Sequence, residues 1–93
     1  IIGYDDVMHI LVIEDDEEAA AYLAKNLRGA GHSVDHAVDG EAGLNMAAAG
    51  DYDAYVVDRM LPKLDGLTLL ARRRDEGDET PALFLSVPTN VIN

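Results

Sequence analysis

Four short apolar runs alternate with three segments of helical periodicity along this chain of 93 residues. Short apolar runs bounded by turn residues are typical of buried strands. Strands that alternate with helices predict an α/β fold with a parallel sheet, because each crossover helix returns the chain to the same edge. The predicted strands are Met8–Ile13, Ser33–Ala37, Asp53–Asp58 and Ala82–Ser86. The predicted helices run from about Glu17 to Ala30, from about Gly40 to Ala49, and from directly after Asp65-Gly66 to just before Gly77.

Each predicted helix carries an apolar stripe that we expect to face the sheet. Spacings of three and four residues place such side chains on one side of a helix. The stripes are Ala20, Leu23, Ala24 and Leu27 in the first helix, Leu44, Ala47 and Ala48 in the second, and Leu67, Leu70 and Ala71 in the third.

The third predicted strand ends on a single carboxylate, Asp58, and a turn with Pro62 and Asp65-Gly66 follows directly. In open α/β sheets, ligands bind outside the carboxyl ends of the strands. An aspartate at a strand end is by itself most often an ordinary surface residue. Asp58 therefore becomes a candidate site residue only if other functional groups meet it there.

Five adjacent carboxylates, residues 14–18, lie at the junction between the first strand and the first helix. Asp16 suits the helix N-cap, and the two residues after it suit the first helical turn, where the helix dipole favours anions. Glu14 and Asp15 come too early for that role. They end the strand instead, so they call for another explanation.

Glu14, Asp15, Asp58 and Ser86 all end strands, and they meet at one edge if strands 1, 3 and 4 are neighbours. Close carboxylates repel one another, so such a cluster persists only with a bound proton or a cation. Mg²⁺ is typically held by one or two carboxylates, waters and a substrate phosphate. A carboxylate beside Mg²⁺ could attack a phosphoryl group, and Ser86 could donate a hydrogen bond to it.

The composition narrows the classes of function. The net charge of −11, from 18 acidic and 7 basic residues, argues against direct binding of a nucleic-acid backbone by this chain. The basic run Arg72–Arg74 is expected at a helix C-terminus, where the dipole favours cations. No basic-then-apolar leader, no membrane-length apolar run and no cysteine are present in the sequence. We therefore expect a cytoplasmic location and no membrane contact.

A small Mg²⁺-dependent phosphatase or hydrolase built on the same carboxylates is an alternative. It requires a general base, and the three histidines are better interpreted as strand or loop residues. These are His9, His32 and His36.

Four motifs together resemble the receiver domain of bacterial two-component response regulators. Met-Leu-Pro and Asp-Gly-Leu within them resemble the OmpR/PhoB branch, and the resemblance covers residues 8–86. The motifs are ILVIEDD at 10–16, YDAYVVDRMLP at 52–62, DGL at 65–67 and PALFLS at 81–86.

The resemblance implies a flavodoxin-like (CheY-like) three-layer fold with strand order 2-1-3-4-5. It also implies that Asp58 accepts a phosphoryl group from a sensor histidine kinase and that Ser86 is the switch hydroxyl. Asp15 would bind Mg²⁺ directly, Glu14 mainly through water, and Met60 through its backbone carbonyl, with Asp58 completing the metal site. In the intact protein, the domain would control a DNA-binding transcription regulator without being an enzyme itself.

The chain departs from the family at both ends. The resemblance implies a fourth helix, a fifth strand with a lysine, and a fifth helix, and we expect none of these in the 93 residues. Residues 1–7 and 87–93 lie outside the resemblance. We expect a receiver domain that is truncated or engineered, with strand 4 as an exposed apolar edge that favours self-association. Two interpretations stay open: a phosphoacceptor module, and a fragment that no longer switches and acts in binding or assembly.

Overall fold

A computed structural model describes residues 7–85 as a four-stranded parallel sheet with three helices. The strands are β1 (His9–Ile13), β2 (Ser33–Ala37), β3 (Ala54–Asp58) and β4 (Ala82–Leu85), and the helices are α1 (Glu17–Gly29), α2 (Gly40–Ala49) and α3 (Gly66–Asp75). The predicted boundaries agree to within one residue at nearly every end. Ser86, the predicted last residue of strand 4, lies outside the described residues. No helix within residues 7–85 has the length and apolar character of a membrane span.

The strands lie in the order β2-β1-β3-β4, and every neighbouring pair is parallel. The register pairs Ile13 with Ala37 on one side and with Val57 on the other. Asp58 pairs with Leu85. The carboxyl ends of all four strands therefore form one edge of the sheet, and the predicted α/β architecture is confirmed.

Apolar side chains fill a layer on each face of the sheet, because side chains along a strand alternate between its two faces. One layer packs against α2 and α3, and the other against α1. The buried members of the first layer are Leu11, Ile13, Ala37, Ala47, Tyr55, Val57, Leu61 and Leu69. Those of the second are Ile10, Val12, Ala24, Val34 and Val56.

The predicted stripe of α1 is confirmed, whereas that of α2 is partly wrong. Ala47 is buried and Leu44 is half-buried, but Ala48 is exposed. The helix is rotated so that Gly43 is buried in its place. A Cβ added at Gly43 would lie 2.8 Å from the Ile13 side chain, so the glycine allows this close approach to the sheet.

The predicted stripe of α3 is mostly wrong. Leu67 is 51% exposed and Ala71 is exposed, whereas Leu69 is fully buried and Leu70 half-buried. Close contact at the first turn sets this rotation, since a Cβ added at Gly66 would lie 2.5 Å from the last carbonyl oxygen of β3. Residues three and four positions after Gly66 therefore face the sheet.

The β4 strand is the outer strand beside β3. Within residues 7–85, β4 pairs with β3 alone. Leu83 is 65% exposed, and Phe84 and Leu85 are half-buried. The predicted apolar edge is thus present in the described part of the chain.

Candidate functional site

The junction between β1 and α1 fixes Glu14 at the carboxyl edge of the sheet. Glu14 is buried, and its N–H donates to the carbonyl oxygen of Ala37 at 3.0 Å. Its carboxylate accepts a hydrogen bond from the Asp16 N–H at 2.9 Å. Asp16 in turn caps α1, as predicted, by accepting hydrogen bonds from the N–H groups of Glu18 and Ala19.

Asp58 ends β3 and is half-buried. Its Oδ1 accepts a hydrogen bond from the N–H of Met60 at 3.0 Å. This contact folds the start of the following loop back over the strand end. It also fixes one carboxylate oxygen of Asp58 and leaves the second without a hydrogen-bond donor from residues 7–85.

Three carboxylates converge at this edge. One oxygen each from Glu14, Asp15 and Asp58 lies within 4.8 Å of the others. Burial raises the pKa of Glu14 above its ordinary value, and the nearby charge of Asp58 and contacts to Asp15 add to this effect. Two separate strands thus bring together the acidic side chains that the sequence singled out.

The repulsion between these groups is substantial. At 4.8 Å, two unit charges repel by about 0.9 kcal/mol in water and by about 3.5 kcal/mol at an effective dielectric of ~20. The ion pairs within residues 7–85 all lie elsewhere, so no basic side chain of the described chain neutralises the cluster. Hard carboxylate oxygens without a basic partner fit a divalent cation such as Mg²⁺.

The loop from β3 to α3 is held by two glycines. The N–H of Gly66 donates to the Arg59 carbonyl oxygen, and the N–H of Gly40 donates to that of Pro62. A Cβ at Gly40 would lie 1.8 Å from the carbonyl oxygen of Leu64, so only glycine fits there. The sequence predicted that helices begin beside these two glycines, but not that the glycines hold the loop beside Asp58.

His36 is a residue near the site that the sequence analysis missed. Its Nε2 lies 2.7 Å from the carbonyl oxygen of Glu14. As the fourth residue of β2, it does belong to a strand, as predicted. Its position two residues ahead of the Val38-Asp39-Gly40 turn was the available signal, since it places His36 near the carboxyl end of its strand.

Met60 and Ser86 were also predicted as site residues, and their roles stay predictions. Met60 is 83% exposed, and its N–H donates a hydrogen bond to Asp58. The metal-binding role of its carbonyl oxygen stays a prediction. Ser86 and its role as a switch hydroxyl lie outside the described residues.

The other histidines lie at the opposite edge of the sheet. His9 begins β1, and its Nε2 lies 3.1 Å from the carboxylate of Asp35, which also accepts a hydrogen bond from the Tyr52 hydroxyl. Burial and the contact with Asp35 raise the pKa of Tyr52 to about 12. His32 lies in a loop and accepts a hydrogen bond from the Met8 N–H. Neither histidine lies near Asp58 in the described chain.

Comparison with known protein families identifies the family to which this fold and its acidic cluster belong. Residues 10–92 match the family model of the response regulator receiver domain. The chain belongs to this family. The match extends to residue 92, whereas the motifs described above end at Ser86. Receiver domains of response regulators are signalling domains, and this family assignment agrees with the predicted resemblance.

The receiver domain is similar to transcription regulators. It is 44% identical to the transcriptional regulatory protein DltR of Streptococcus agalactiae over 86 residues, which are 92% of this chain and 38% of DltR. The chain therefore spans about two fifths of the length of this relative. DltR and the other regulators that this domain resembles are of the OmpR/PhoB type.

Solved structures share the fold. The receiver domain of the Francisella response regulator 1452 superimposes with a TM-score of 0.84 at 31% identity, covering 90% of this chain and 69% of that one. The receiver domain of the sensor histidine kinase PA1611 from Pseudomonas aeruginosa superimposes with a TM-score of 0.81 at 29% identity, covering 86% and 67%. That structure has a magnesium ion coordinated in its active-site cleft.

Proposed function

We propose that this receiver domain is the phosphoacceptor module of a two-component signalling system, with Asp58 as the phosphorylated residue. The convergence of Glu14, Asp15 and Asp58 within 4.8 Å is the observation that carries the proposal. The partner is a sensor histidine kinase in the cytoplasm. In the intact protein, the domain controls a DNA-binding transcription regulator, in line with its similarity to DltR.

The proposed reaction transfers a phosphoryl group from a histidine nitrogen of the kinase to a carboxylate oxygen of Asp58. The free oxygen of Asp58 attacks phosphorus, an O–P bond forms, the N–P bond of a phosphohistidine breaks, and an acyl phosphate results. The Met60 N–H holds the other oxygen and orients the carboxylate for attack. Ser86 is proposed as the hydroxyl that donates to the transferred group. The domain accepts the phosphoryl group and is not itself a turnover enzyme.

Mg²⁺ is the proposed cofactor. Asp15 and Asp58 would hold it directly, Glu14 through water, and the Met60 carbonyl oxygen would add a neutral ligand. When bound, Mg²⁺ supplies positive charge that offsets the carboxylates and the phosphoryl oxygens. The magnesium in the cleft of the PA1611 receiver domain supports this choice of ion.

Intact mass tests the proposal. The 93-residue chain is incubated with MgCl₂ and acetyl phosphate, with EDTA in place of MgCl₂ as the first control. We expect one added phosphoryl group with Mg²⁺, and none in D58N. D53N is the matched control, because Asp53 is an exposed aspartate directly before β3, at the other edge of the sheet. A phosphoryl group on D58N, or none on the unmodified chain, contradicts the proposal.

The outer strand favours a second candidate function, assembly through β4. Leu83 is 65% exposed on a strand that pairs only with β3 within residues 7–85. An apolar outer strand is a template for pairing with a second chain. Sedimentation at micromolar concentration should detect a dimer that L83K disrupts. A folded monomer at this concentration rules the assembly function out for the 93-residue chain.

A further inference from the structure

The last two residues of β2 hold the backbone of Glu14 at both its N–H and its carbonyl oxygen. The Ala37 carbonyl oxygen accepts the Glu14 N–H at 3.0 Å, and His36 Nε2 lies 2.7 Å from the Glu14 carbonyl oxygen. A carbonyl oxygen only accepts hydrogen bonds, so His36 carries a proton on Nε2 and donates it. β2 therefore reaches the acidic cluster without supplying a carboxylate to it.

The Glu14 carbonyl belongs to the peptide group that joins Glu14 to Asp15. That group is planar, so fixing its oxygen also restricts the rotation that sets the direction of Asp15. The Glu14 side chain is fixed separately by the Asp16 N–H at 2.9 Å. Asp15 is exposed, and the part of the chain that the structure describes offers its carboxylate no basic side chain in an ion pair. The direction of its backbone therefore constrains where this ligand can reach.

We propose that His36 is a positioning residue for the acidic pair, acting on Asp15 through the shared peptide group. The inference rests on the proposed Mg²⁺ site. Without the His36 donor, the peptide group between the two acids turns more freely, and Asp15 samples directions that do not meet Asp58. Binding of Mg²⁺ would then have to order Asp15 as well, and this ordering lowers the affinity for Mg²⁺.

Mg²⁺ affinity of the full 93-residue chain, measured by calorimetric titration with MgCl₂, tests the role of His36. H36L removes the donor and should weaken Mg²⁺ binding about tenfold. This is the lower end of the loss in metal affinity seen when groups that hold metal ligands in place are substituted. H36Q keeps an N–H donor at a similar reach and should restore most of the affinity. H32Q is the matched control, because His32 also contacts a backbone group but at the opposite edge. It should bind Mg²⁺ as the unmodified chain does.

A purely structural role of His36 predicts a different result. In that case, H36L and H36Q both lower the melting temperature in EDTA, and neither changes Mg²⁺ affinity, which overturns the inference. Long-range ¹H–¹⁵N spectra of the unmodified chain provide a test that needs no variant. They should detect a proton on Nε2 of His36 without metal, and an unprotonated Nε2 overturns the inference. If the unmodified chain binds no Mg²⁺, the proposed metal site fails first, and this inference with it.

Discussion

Substitution of Asp58 by asparagine should stabilise the metal-free receiver domain. D58N removes one of three negative charges that lie within 4.8 Å of one another. The amide oxygen of asparagine can still accept the Met60 N–H, so the local hydrogen bond is kept. The substitution therefore isolates the charge repulsion that the fold imposes on its own site.

The expected gain follows from the geometry. Each pair that includes Asp58 repels by about 0.9 kcal/mol in water at this separation, and 0.15 M salt with a Debye length of about 8 Å reduces that to about 0.5 kcal/mol. Two such pairs give about 1 kcal/mol as a lower limit. For a chain of this size, that corresponds to a rise in melting temperature of about 4–8 °C.

Thermal unfolding at pH 7.5 with EDTA measures this gain. D51N is the control, since Asp51 is exposed outside the acidic cluster and its substitution changes the net charge equally. Saturating MgCl₂ should raise the melting temperature of the unmodified chain more than that of D58N. The reasoning is refuted if D58N melts no higher than D51N in EDTA.

Three further substitutions are predicted to change the stability of the folded chain. Burial and the charge of Asp58 raise the pKa of Glu14 above its ordinary value of 4.5. The folded state therefore loses stability as the pH rises from about 4.5 through the raised pKa. Urea unfolding should find E14Q more stable than the unmodified chain at pH 7 and not at pH 4. G66A places a Cβ 2.5 Å from the Asp58 carbonyl oxygen, and its urea midpoint should fall by an amount equivalent to about 2 kcal/mol. Y55F removes the buried hydroxyl that donates to Asp78, and calorimetry should record a loss of about 1–2 kcal/mol.

Local patterns predicted the elements well because each strand and helix is bounded by its own signals. Asp16 caps α1 at the expected position, and α2 and α3, capped by Asp39 and Asp65, begin within one residue of their predicted starts. The rotation of the helices was less predictable. Ala48 and Leu67 satisfy the local apolar spacing, yet both are exposed, because close packing at Gly43 and Gly66 turns other faces toward the sheet.

The candidate site was likewise predicted in part from the sequence. Glu14, Asp15 and Asp58 were predicted together, since the alternation of strands and helices makes the sheet parallel and brings the strand ends to one edge. His36 was assigned only to a strand. Its contact with Glu14 depends on the register of β2 against β1, and that register is set by packing between segments more than 20 residues apart.

The sequence by itself determined the order of elements, the acids at their ends and the family, because these depend on neighbouring residues and on short motifs. Only the tertiary structure decided which helix faces are buried, how closely the three carboxylates meet and which group of β2 holds them. These features depend on distances between distant segments. Such distances follow from the packing of the whole sheet and not from any one stretch of chain.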